Sequence, residues 1–143
     1  MESKENEMNT NNRTTMDIRV KLSTTWIFVM FNMVFADILG FMHPDFRKFL
    51  ETGYAGAIQV TPEFLLLSAI LLEIPVVMIL LSRTLKHGVN RWANIVAAVI
   101  TIAFVVGAAS TAPHYMFFAT AEVIAMAMII WNAWKWSRVE NPS

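Results

Sequence analysis

Asp37, Glu73 and Glu122 each lie in an apolar stretch long enough to cross a membrane, and no Lys or Arg shares those stretches to neutralise them. An ionised Asp at the centre of a spanning helix costs roughly 2.5–3.5 kcal/mol on insertion scales. Two carboxylates near one another in low dielectric cannot both ionise easily. Such groups suit proton exchange, binding of a cation among aromatic rings, or general acid–base chemistry. Their plainer use is as glue, a protonated Glu bonding an amide, a phenol or a carbonyl on a neighbouring helix for about 0.6 kcal/mol and at most 1–2. Three such groups on three helices weigh toward function.

Four apolar spans must carry these residues: about 22–42, 62–81, 92–110 and 113–134. Each matches a hydrocarbon core of roughly 30 Å at 1.5 Å per residue. Asp17, Arg19 and Lys21 precede the first span, and His43-Pro44 ends it, because a residue before Pro avoids helical angles. Thr61 is an expected N-cap, with Pro62 at the first helical position. In 44–52, Phe46, Phe49 and Leu50 fall on one side and charges on the other, between Pro44 and Gly53. That pattern gives a short helix, either interfacial or an ordinary loop helix. The tail 1–16 is polar and without period, so it reads as disordered; it is no signal peptide. The membrane domain is 17–138, and 139–143 is a second tail.

Composition agrees with this all-α, four-helix membrane bundle. The 143 residues are 56% hydrophobic and 15% charged, with a mean hydropathy of +0.49. Soluble domains carry about 25% charged residues. With no Cys there is no disulfide, thiolate catalysis or Cys-ligated metal, and zero net charge gives no electrostatic case for nucleic acid. Nine of the eleven Lys and Arg flank one side of the spans; Arg47 and Lys48 are on the other. The positive-inside rule then puts both termini in the cytoplasm, and the five Trp fall near that same interface.

Counting inward from the outer end of each span puts Asp37 about 7 Å deep, Glu122 about 14 Å, Asn32 about 15 Å and Glu73 about 16 Å. Asn32, Glu73 and Glu122 therefore share a level near the midplane, with Asp37 above them toward a mouth. Asn32 and Asp37 lie roughly 140° apart on a helix, so they cannot both point straight inward. Pro75 frees a backbone carbonyl near Leu71, beside Glu73. Tyr115 shares a face with Glu122. The expected site is a pocket floored by Glu73 and Glu122, with Asn32 and Tyr115 as hydrogen-bonding groups and Asp37 near the mouth. Phe31, Phe35, Phe118 and His114 are further candidates; His114, at a span end, is also an ordinary interfacial residue. Glu63 is read as an acid complementing a helix N-terminus. Glu-x-x-His pairs are absent, so no metal is expected. No phosphate loop or nucleophile elbow occurs, and no cofactor is expected. Ala93, Ala97 and Thr101 on one face, Ala103 and Gly107 on another, and Ala121 with Ala125 suit close packing, within the bundle or between subunits.

The stretch Asp17 to Asn32 with Ala36-Asp37 resembles a family of small bacterial four-helix membrane proteins, a domain of unknown function. So do Leu72-Glu73-Ile74-Pro75, Leu81-Ser82-Arg83, Asn90-Arg91-Trp92-Ala93-Asn94, Phe117-Phe118-Ala119-Thr120-Ala121-Glu122 and Trp134-Lys135-Trp136. The layout is similar to the DoxX-like group, and the resemblance implies a bacterial inner membrane and four spans. It brings no activity. It is similar also to small multidrug exporters, whose first-span Glu is absent here.

Three functions compete on this basis. The first is binding of a small cationic or protonatable ligand at the midplane carboxylates, extended to proton-coupled transport. The second is an enzyme on a lipid-like or quinone substrate with Glu73 and Glu122 as acid and base. The third is an accessory subunit with no site. The partners expected are the bilayer, a small molecule and further copies of the chain, since four spans are few to wrap a path.

Overall fold

A computed structural model describes residues 17–108 and 110–136. The two tails, 1–16 and 137–143, lie outside the described residues. Five helices form among the described residues: α1 (Ile18–Phe41), α2 (Pro44–Thr52), α3 (Pro62–Thr84), α4 (His87–Gly107) and α5 (Pro113–Lys135). All but α2 are long and apolar enough to cross a membrane.

The helix ends follow local chemistry. α1 starts a turn earlier than hydropathy suggests, because the Asp17 carboxylate accepts from the Arg19 N–H at 3.0 Å and caps it. Thr61 caps α3 as expected, accepting from the Phe64 N–H at 3.2 Å. α4 also starts early, at His87, since only Leu85 and Lys86 separate it from α3. Its extra turn holds Gly88, Asn90 and Arg91, whose polarity hides it from an apolar count. α3 runs unbroken through Pro75, which is buried.

Between α2 and α3 the chain makes a hairpin of two-residue strands, β1 (Tyr54–Ala55) and β2 (Ile58–Gln59), pairing Tyr54 with Gln59 and Ala55 with Ile58. Gly53 (φ 72°) closes α2 and Gly56 (φ 62°) turns the hairpin, both in left-handed conformations that a side chain disfavours. Strands this short show no alternation, so the sequence did not announce them.

α1 packs on α3 and α5, and α4 packs on the same two, so the four long helices close a ring in chain order. The core is densest at the Lys/Arg-rich end. There Leu22, Trp26 and Val29 of α1 meet Met126, Ile129 and Ala133 of α5 and Ala97 and Ala98 of α4. The small residues Ala97, Thr101 and Ala125 are buried within the bundle, whereas Ala103 and Gly107 face outward. Trp26 is not an interfacial indole: it is fully buried. Three of the other four Trp near that end pair with cations, Lys135 with Trp131 at 4.3 Å, Arg91 with Trp134 at 5.2 Å and Arg19 with Trp136 at 6.0 Å.

Candidate functional site

Polar side chains inside apolar helices have two ways to be satisfied. Hydroxyls and amides own a donor and can give it to the carbonyl four residues back. Asn32 does this to Phe28, Ser68 to Phe64, Thr101 to Ala97, Thr120 to Met116 and Asn132 to Met128, at 2.7–2.9 Å. A carboxyl group has no donor while it is ionised, so that solution is open to Asp37, Glu73 and Glu122 only when they carry a proton.

Glu122 is the buried one, 3% exposed in the middle of α5. It makes no ion pair among the described residues. Its side chain lines a cavity of about 330 Å³ to which all four long helices contribute. Tyr115, Ala119 and Glu122 come from α5 at helical spacing, Ala36 and Asp37 from α1, Ser68 and Leu72 from α3, and Phe104 and Val105 from α4. Among the described residues no Lys, Arg or His lines it. Above it opens a wider vestibule of about 1130 Å³, under α2 and the hairpin. The two share Ala36, Asp37, Ala108 and Tyr115, so they adjoin at that level.

At the vestibule, the His43 and His114 rings lie 5.7 Å apart between centroids. His43 Nδ1 is 3.3 Å from the Asp45 carboxylate, which Lys48 also approaches at 3.6 Å. The Phe46 ring lies tilted between those of Phe41 and Phe49, and all three line this vestibule.

The structure gathers Asp37, Tyr115 and Glu122 in one cavity and His114 just above, but it does not bring the full expected pocket together. Glu73 is exposed on the outer side of α3 and lines neither space. The expected Glu73–Glu122 floor, and with it that acid–base pair, is not formed. Asn32 is bonded to its own helix: of the two α1 groups that could not both point inward, Asp37 takes the cavity. Phe31 and Phe35 stack on each other at 6.3 Å and are exposed outside the bundle. Phe118 packs edge-on to Phe117 and does not line the cavity. Among the described residues no group of three His, Cys, Asp or Glu could hold a metal.

Sequence reasoning missed Ser68 and Phe104 in the cavity and His43 at its mouth. His43 had served only as the end of a span; the available signal was a His at the outer end of each of two spans. It also missed a buried network at the opposite end. The Trp26 Nε1–H donates to Asn94 Oδ1 at 2.8 Å, and Ser82 Oγ–H donates to the same oxygen at 3.0 Å. Asn94 Nδ2 donates to Asn90 Oδ1 at 2.6 Å, and Asn90 Nδ2 to the Ser82 carbonyl at 2.7 Å. Arg83 Nε donates to Ser23 Oγ at 3.0 Å, and Ser23 Oγ–H to the Ile79 carbonyl at 2.8 Å. Ser23, Trp26, Ser82, Asn90 and Asn94 are fully buried. This end of the bundle is sealed and the other is hollow. The Asn90–Asn94 spacing, one helical turn across the start of the third span, was the legible clue.

No curated protein and no solved structure matches the chain. A family model does, described as "Family of unknown function (DUF6326)", over residues 12–143. That match takes in every helix and every cavity residue described above, and the chain belongs to this family of unknown function.

Proposed function

We propose that the protein is a bacterial inner-membrane protein that binds a small cationic or protonatable ligand at Glu122, Asp37 and Tyr115, and exchanges it for protons. The observation that carries this reading is Glu122: a buried carboxylate that, among the described residues, has no ion pair and lines a cavity with a second carboxylate and no basic group. Only a cation or a proton answers that charge in low dielectric. The Tyr115 and Phe104 rings offer faces to an organic cation. The cavity volume falls at the lower end of small-molecule sites, which run about 300–1,000 Å³. Lys and Arg counts favour a vestibule on the non-cytoplasmic side, which would admit the ligand from there, with the Asn94 network at the cytoplasmic end.

The test is a melting-temperature scan of the purified protein in detergent against inorganic and organic cations, quinones and sterol-like molecules. A ligand at a hundred times its Kd stabilises by about 2.7 kcal/mol. We expect upward shifts from cations, lost in Glu122→Gln. Shifts from apolar compounds alone, or cation shifts that survive Glu122→Gln, overturn the reading.

A further inference from the structure

Glu73 is the carboxylate that the cavity leaves out. It lies near the middle of α3, exposed on the outer surface, with no ion pair among the described residues. At that depth lipid offers neither donor nor acceptor, and a polar group left there unsatisfied costs several kcal/mol. The ligand site cannot serve it, because Glu73 lines neither the cavity nor the vestibule.

The helix that carries it is also the least covered. Only 11% of the apolar window of α3 is buried, against 28–39% for the other three spans. Leu66, Ile70, Glu73, Val77 and Leu80 are all exposed, at alternating spacings of four and three. That is the 3.5-residue seam along which two helices stay in register when they cross at a shallow angle. Glu73 occupies its centre.

We propose that this seam is the contact between two copies of the chain, with the two Glu73 carboxyl groups bonded across a two-fold axis along the membrane normal. Such an axis places the partner's group at the same depth without further adjustment, since the same surface patch serves on both sides. A carboxyl group has an acceptor as well as its O–H donor, so each of the two can serve as the other's partner. An unrelated subunit would have to bring its own polar group to that depth; a second copy brings it by symmetry.

The chain has no Cys, so single cysteines report without a background. Ile70→Cys and Val77→Cys flank Glu73 on the seam. Val99→Cys and Ile124→Cys are exposed positions on α4 and α5. After oxidation in native membranes we expect disulfide-linked dimers from the first two and none from the others. Adding Glu73→Leu should lower the dimerisation constant about 3- to 20-fold, the range for one interhelical hydrogen bond in lipid, while Glu73→Gln retains it. No dimer from either seam cysteine, or equal yields at Val99 and Ile124, overturns the interface. Undiminished dimer in Glu73→Leu overturns the carboxyl pairing.

Discussion

Two glutamates at similar positions along their spans end in different surroundings because of azimuth: Glu122 is buried in the bundle and Glu73 is exposed outside it. The substitution Glu→Gln keeps shape and removes the charge, so it separates them. Glu122→Gln should fold, and should lose cation binding or its dependence on pH. Glu73→Gln should leave both intact. Isothermal calorimetry on the two variants, over a range of pH, decides; equal losses would mean the two carboxylates share a site after all. Tyr115→Phe keeps the ring and drops the hydroxyl, and should weaken binding about 2- to 10-fold, the value of one hydrogen bond. Depth was legible in the sequence because rise per residue is fixed. Azimuth was not, since every face of these spans is apolar and no polar side marks the outside. Asn32 failed as a site residue for a further reason: its amide is served by its own helix.

At the scale of the helix, α4 is the strut. Its Asn94 accepts from Trp26 on α1 and Ser82 on α3 and donates to Asn90, so three helices meet on one side chain. Asn94→Ala leaves two buried donors without an acceptor and should cost about 1–3 kcal/mol in detergent unfolding. Thr120→Ala removes a hydroxyl that bonds only within α5 and should stay within about 0.5 kcal/mol. If the two variants unfold alike, the network is not what holds that end. The helices themselves could be read from hydropathy, Pro and cap residues, and α2 was bounded by Pro44 and Gly53 alone. What the sequence hid were polar first turns and the hairpin, where the governing signals are a side-chain cap and glycine angles rather than an apolar run.

For the molecule as a whole, nine of eleven Lys and Arg on one side predict both termini in the cytoplasm and the hairpin outside. A phosphatase reporter fused after Ser143 should be inactive, and one inserted at Gly56 active; the reverse pattern would turn the vestibule toward the cytoplasm. One bond of the buried network also sets a waiting time during synthesis. Trp26 and Asn94 are 68 residues apart in the chain. At a synthesis rate of about 5–20 residues per second, α1 waits roughly 3–14 s for its partner to be made. Through that interval the hydroxyls and amides that bond their own helices ask nothing of a neighbour. The indole of Trp26 does, so its bond to the third span must wait until α4 has left the ribosome.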